Sequence, residues 1–192
     1  NMACDHRFLN LLNPAGKFKY LFVGTFNPSW NFGNAVQADY FYGRGRNYFW
    51  TILPAVFNQP DLKNSPFGVK LDFLQNFEIG ITDLVRTVQN ADINNPLDVA
   101  NLTNGFSDEV LSMYELSFNT NVILDFINNN SETLQGVFLT RSTLNGIHQI
   151  AAEWLLVEQS CLEYGINCEK LITPCRFVNQ QKIDSWIIAV NP

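Results

Sequence analysis

LFVGTFNPSW (Leu21–Trp30), followed after a polar stretch by ADYFYGRGRNYFWTILPAVF (Ala38–Phe57), decides the fold of this chain. The apolar run from Tyr20 to Val23 stops at Gly24 and Thr25 and gives way to Asn27-Pro28-Ser29. A buried parallel strand ends in this way, in a loop at its carboxyl edge. Ligands of open α/β sheets bind at such edges. The second piece sets Phe41, Tyr42, Arg44, Arg46 and Asn47 just ahead of Phe49, Ile52, Leu53, Val56 and Phe57, whose spacing is helical. That spacing predicts a helix over 46–57 that opens beside a polar, aromatic loop.

The strand–helix alternation continues outward from this stretch. Before it, Asn13-Pro14-Ala15-Gly16 reads as a turn leading into a first strand, Lys17 to Val23. After it, residues 58–68 read as a surface loop and Glu78 to Thr82 as a second strand ending at Thr82-Asp83. A helix is predicted from Ser107 to about Phe118, with Ser107 as its N-cap. Helix 121–128, strand 136–140, helix 144–159, strand 168–173 and helix 181–190 complete the pattern. Strands and helices alternating at this spacing predict an α/β fold: a three-layer α/β/α arrangement around a central, mostly parallel four-stranded sheet. Residues 1–192 are read as a single domain, with no repeat or linker.

A hydrophobic content of 46% with 16% charged residues describes a compact globular chain rather than a disordered one. No apolar run is long enough to span a bilayer and no signal-peptide pattern is read at the start, so no membrane partner and a cytoplasmic location are expected. Cys4, Cys161, Cys168 and Cys175 form no Cys-x-x-Cys pair, which points to free thiols, with no metal and no cofactor. The net charge of −6 argues at first against a nucleic-acid partner, but its distribution is uneven. Residues 1–86 hold eight Lys/Arg against six Asp/Glu, residues 87–169 one against eleven, and residues 170–192 three against one. The acidic excess therefore belongs to the middle of the chain, and the loops singled out here lie in the mildly basic ends.

Gly24-Thr25-Phe26-Asn27-Pro28 together with Arg46-Asn47-Tyr48-Phe49-Trp50 resembles the uracil-DNA glycosylase superfamily. The mismatch-specific uracil-DNA glycosylase and hypoxanthine-DNA glycosylase branches are nearest. Their loops run Gly-x-Asn-Pro-Gly or Gly-Ser-Phe-Pro-Gly, and an aromatic segment then leads into Asn-Arg-Phe-Trp. Ile79-Gly80-Ile81-Thr82-Asp83 is similar to a Gly-Leu-Thr-Asp segment of these enzymes, and His6-Arg7-Phe8 to a His-Pro-Phe segment, although His6 itself reads as a surface or capping residue. Thr173-Pro174-Cys175-Arg176 stands where the superfamily has His-Pro-Ser or Asn-Pro-Ser, keeping the proline and lacking both the histidine and the serine.

The resemblance implies a monomeric, monofunctional DNA glycosylase that hydrolyses the N-glycosidic bond of a deaminated base, uracil or hypoxanthine, in DNA. It implies a base-excision repair role. Asn27 and Asn47 are the candidates for holding the attacking water; each could instead cap, Asn27 a turn and Asn47 the following helix. Gly24, Thr25, Phe26, Phe41, Tyr42, Thr82 and Asp83 are expected to form the base pocket, with Phe41 or Tyr42 as the stacking surface. Arg44, Arg46, Thr173, Pro174, Arg176 and Phe177 are expected to face DNA, the arginines through phosphates and Arg176 or Phe177 as a wedge. A binding module of the same fold without turnover, or a hydrolase of free nucleosides, are the alternatives.

Overall fold

The computed structural model describes residues 3–9, 17–30, 38–103 and 107–191; the turn expected at Asn13–Gly16 lies outside them. In chain order the elements are β1 (Cys4–Asp5), β2 (Tyr20–Gly24), α1 (Phe49–Val56), α2 (Phe67–Asn76), β3 (Ile79–Asp83), β4 (Val85–Val88), α3 (Pro96–Thr103), the 3-10 helix Asp108–Met113, β5 (Leu116–Phe118), α4 (Thr120–Asn129), β6 (Gly136–Leu139), α5 (His148–Tyr164), β7 (Asn167–Lys170) and α6 (Gln180–Val190). Strands β3-β2-β6-β7 form a parallel four-stranded sheet, and β1-β4-β5 form a small antiparallel one.

Alternation along β2 explains the three layers. Tyr20 and Phe22 point to one face, where they join Phe49, Ile52 and Leu53 of α1, Phe73 of α2 and Trp186 of α6. Leu21 and Val23 point to the other, where they join Ile123 and Ile127 of α4 and Ile150 and Trp154 of α5. Both faces are covered, so the strand reads as an unbroken apolar run. No helix among the described residues is long and apolar enough to cross a membrane.

The chain leaves β2 toward β3 on one side and, having returned across the sheet, leaves β6 toward β7 on the other. The loops after β2 and β6 therefore diverge, and a crevice opens between them at the carboxyl edge of the sheet. Register brings Gly24 beside Asp83 at that edge.

The helix expected over 107–118 is a correction. Only Asp108–Met113 is helical, as a 3-10 segment, and Leu116–Phe118 pairs with β4. The strand partner lies about 30 positions earlier, and tertiary pairing of this kind overrides local propensity. The stretch between β3 and the 3-10 helix is also structured: it holds β4, paired with β5, and α3.

Candidate active site

The crevice is a cleft of about 720 Å³. Its floor is the end of β2 and the loop Thr25–Asn27, with Asp83 from β3 and Thr140 and Arg141 after β6. One wall is the segment Tyr42–Asn47, another is Thr173–Arg176, and Ser107 and Asp108 close a third side.

A hydrogen-bonded chain runs behind the floor. The backbone N–H of Phe8 donates to His6 Nδ1 at 2.9 Å, which leaves the ring's other nitrogen to carry the proton. His6 Nε2 lies 2.5 Å from Asp83 Oδ2, and Asn27 Nδ2 donates to the same oxygen at 2.7 Å. The His6 and Asp83 side chains are 1% and 2% exposed, so this charge is held by donors rather than by water. A carboxylate can only accept, so the Asn27 amino group must face Asp83 and the Asn27 carbonyl oxygen must turn away from it. Asn27 itself lines the cleft.

Gly24 makes this arrangement possible. A Cβ added there would lie 2.4 Å from Asp83 Oδ1 and 2.9 Å from the Tyr42 hydroxyl oxygen. The close approach of two polar side chains over the strand end requires a residue without one. Tyr42 stacks on Phe49, ring centroids 3.8 Å apart and 17° between planes, which leaves its other face for the cleft. Its hydroxyl is 2.8 Å from Thr140 Oγ1, and Thr140 donates its own proton to the Val23 carbonyl at 3.3 Å. The Tyr42 O–H is therefore the donor to Thr140. Burial, reinforced by the Asp83 charge, pushes the phenol well above its ordinary pKa, so it stays protonated.

Opposite, Thr25 Oγ1 donates to Asp108 Oδ1 at 2.6 Å, and Arg141 Nη1 donates to Asp108 Oδ2. Arg141 also donates to Glu109 at 2.9 Å and to the Thr143 carbonyl at 2.7 Å. Burial raises the Asp108 carboxyl above its ordinary value against the pull of Thr25 and Arg141.

The walls are joined by backbone. Tyr48 N–H donates to the Pro174 carbonyl at 2.7 Å and Arg176 N–H to the Arg46 carbonyl at 2.9 Å, an isolated antiparallel bridge at Asn47 and Cys175. Asn47 Oδ1 accepts from Phe49 N–H at 2.9 Å, opening α1, and its amino group lies 3.6 Å from Cys175 Sγ. Behind the second wall, the nearly buried Lys182 ammonium donates to the carbonyls of Thr173, Cys175 and Phe177 at 3.0, 3.2 and 2.9 Å. Non-glycine residues with positive φ include Tyr42 at 58° and Arg176 at 75°, so backbone strain falls on both walls. Arg44, Arg46 and Arg176 line the cleft, the last two exposed; burial lowers the Arg44 pKa against the opposing pull of Asp108.

Most of the residues singled out from the sequence thus meet in one cleft, Asn27 and Asn47 included. Three do not line it. Phe41 is fully buried behind the wall, its ring 5.3 Å from that of His6. Thr82 points to the opposite face, as the neighbour of Asp83 on a strand must, and accepts from Asn119 at 3.0 Å beside a second cavity of about 310 Å³. Phe177 is 55% exposed, outside the cleft, with the Lys182 ammonium 4.0 Å from its ring centroid. His6, read from the sequence as a surface or capping residue, is instead buried against Asp83, and Asp108, Thr140, Arg141 and Lys182 are site residues that sequence reasoning missed. Asp108-Glu109 facing a lone Arg141 in an acidic region was a usable signal, since an isolated cation among eleven acids is a paired one. Among the described residues, no group of three or more His, Cys, Asp or Glu could hold a metal ion.

No protein-family model matches the chain, and no curated protein matches it. Among solved structures it is similar to the solution NMR structure of a putative uracil DNA glycosylase from Methanosarcina acetivorans. The two share 12% identity over 91% of this chain and 89% of that one, with a TM-score of 0.54. The likeness is one of fold: the chain has a uracil-DNA-glycosylase-like α/β architecture.

Proposed function

We propose that this protein is a monofunctional DNA glycosylase that releases a deaminated base. The observation that carries the reading is the pinned amide of Asn27. Its amino group is spent on Asp83, so its carbonyl is the one strong acceptor of that side chain left to the cleft, at the strand end where ligands of such sheets bind. A carbonyl held in this way accepts a hydrogen bond from water and fixes its oxygen for attack on the sugar. Water adds to C1′ of the deoxyribose as the N-glycosidic bond breaks. The bonding pair leaves on the base nitrogen, which takes up a proton through solvent as the water releases one to it, and the products are a neutral free base and an abasic site. Positioning of this kind is an orientation effect, in which a misplacement of about 1 Å costs roughly 10²-fold in rate.

The other parts match the task. Tyr42, backed by Phe49, offers a stacking face for an extruded base. Arg44, Arg46 and Arg176 at the opening suit phosphates in a protein that is otherwise acidic. No lysine is among the described residues lining the cleft, which favours hydrolysis over Schiff-base chemistry. Asn27 is preferred to Asn47 as the water-holding residue, because Asn47 spends its carbonyl on the start of α1.

A second reading, a base-binding module without turnover, is favoured by one feature. Cys175 stands at the second wall, and burial holds its thiol above the ordinary pKa, so it offers little help to a departing base anion. The deciding experiment treats labelled duplexes carrying uracil, hypoxanthine or xanthine with excess protein and then alkali. Abasic sites made by the native protein, lost in Asn27→Ala and retained in Asn47→Ala, are the expected result. No product on any lesion, single- or double-stranded, would favour the binding module.

A further inference from the structure

The polar atoms that the described side chains leave open at the cleft floor are acceptors, and this bears on which base is read. Asp83 Oδ2 is filled by His6 and Asn27, whereas Asp83 Oδ1 accepts from no described residue. Asp83 lines the cleft, with its side chain only 2% exposed. The donors nearby are committed. The Tyr42 O–H goes to Thr140, the Thr25 hydroxyl goes to Asp108, and the Arg141 guanidinium is divided among Asp108, Glu109 and Thr143.

We infer that Asp83 Oδ1 is the specificity-determining atom of the pocket, and that it selects bases by a ring N–H not flanked by two carbonyls. The inference rests on the proposed base-binding role of the cleft. A carboxylate oxygen in a dry site requires a donor, and bases differ in what lies beside that donor. In uracil the N3–H sits between O2 and O4, so an approaching carboxylate meets two carbonyl dipoles of its own sign. In hypoxanthine the N1–H has O6 on one side and only C2–H on the other, which removes one of the two repulsions. Low dielectric at a buried carboxylate enlarges the difference. Guanine presents the same ring N–H, but its firm pairing with cytosine keeps it in the stack, whereas a mismatched or deaminated base is extruded at lower cost.

His6 and Asn27 also determine what a substitution does. In Asp83→Asn the side-chain oxygen takes the place of Oδ2, because both neighbours are donors. The new amino group then takes the place of Oδ1, and the floor changes from acceptor to donor. That polarity suits the carbonyl edge of uracil.

The test uses single-turnover excision with excess protein on otherwise identical duplexes carrying hypoxanthine or uracil. The native protein is expected to favour hypoxanthine by roughly ten-fold or more, as hydrogen-bonding sites discriminate against a mismatched edge. Asp83→Asn, with folding verified by its circular dichroism and urea midpoint, is expected to shrink or reverse the ratio. Equal or faster excision of uracil by the native protein overturns the inference, whatever the variant does. Should no lesion be excised, titration of native protein with free hypoxanthine and free uracil, followed by Tyr and Trp fluorescence, separates the two ideas. Tighter hypoxanthine binding then supports the Asp83 assignment while the glycosylase reading fails; equal or tighter uracil binding overturns the assignment as well.

Discussion

Replacing Gly24 by alanine tests the geometry of the cleft floor with a single methyl group. The added carbon would start 2.4 Å from Asp83 Oδ1, whereas ordinary contact begins near 3.4 Å, so the carboxylate must retreat by about 1 Å. Strand β2 cannot move away instead, because it is hydrogen-bonded to β3 on one side and β6 on the other. A retreat of that size breaks or stretches the bonds from His6 and Asn27, at 2.5 and 2.7 Å. Hydrogen bonds to a charged group are worth about 1.5–3 kcal/mol each, so a loss of about 2–4 kcal/mol in stability is expected. Displacement of the Asn27 carbonyl by the same amount should slow excision by roughly 10²-fold. Urea unfolding and single-turnover excision measure the two effects. In an Asp83→Ala background the nearest contacts left are the Tyr42 hydroxyl oxygen at 2.9 Å and Cζ at 3.5 Å, and the cost of the methyl should fall to roughly half. An unchanged urea midpoint for Gly24→Ala, or an equal cost in both backgrounds, would refute the placement of the carboxylate.

Other consequences can be checked directly. His6→Ala strips a donor from a buried carboxylate and should cost about 2–4 kcal/mol by urea unfolding, with excision falling in parallel. Lys182→Met leaves the carbonyls of Thr173, Cys175 and Phe177 without their shared donor; amide hydrogen exchange in residues 173–177 should accelerate while that of β2 stays slow. Asp108 binds its proton more tightly in the folded protein than at its ordinary value of 3.8. Across the interval from that value up to the raised folded one, the native state holds more protons than the unfolded chain, so this group's contribution makes stability fall as pH rises. Urea midpoints of Asp108→Asn across the acid range should lack that slope; curves parallel to the native ones would disprove it. Arg46→Ala and Arg176→Ala should each lower the salt dependence of duplex binding by about one unit of log–log slope, without altering the preferred lesion.

The central sheet was legible because its signal is local. Tyr20 to Val23 is apolar on every position, as a strand covered on both faces must be, and the helices that cover it carry their own periodicity. The small sheet was not, since β1, β4 and β5 acquire their identity from partners far along the chain. The same division runs through the site. Asn27, Tyr42, Asn47 and Arg176 stand in recognisable segments, and so does His6, but its segment does not say that the ring will be buried on a carboxylate 77 positions away. Asp83 and Thr82 show a narrower lesson. Adjacent positions on a strand face opposite layers, so both could not have lined one pocket, and Gly24 beside Asp83 tells which of them does.

The backbone bridge between the Tyr42–Asn47 wall and the Thr173–Arg176 wall bears on where deformation would fall if a duplex docks as proposed. Two bonds between main chains, braced from behind by Lys182, leave that corner of the protein no hinge to open. On the proposed function, the protein would act there as the mould and the nucleic acid as the compliant partner. Bending and unstacking would then fall to the DNA, and sequences that yield easily would be engaged first. Lesion searching by such a mould would be governed by the mechanics of the helix it probes as much as by the chemistry of the base it receives.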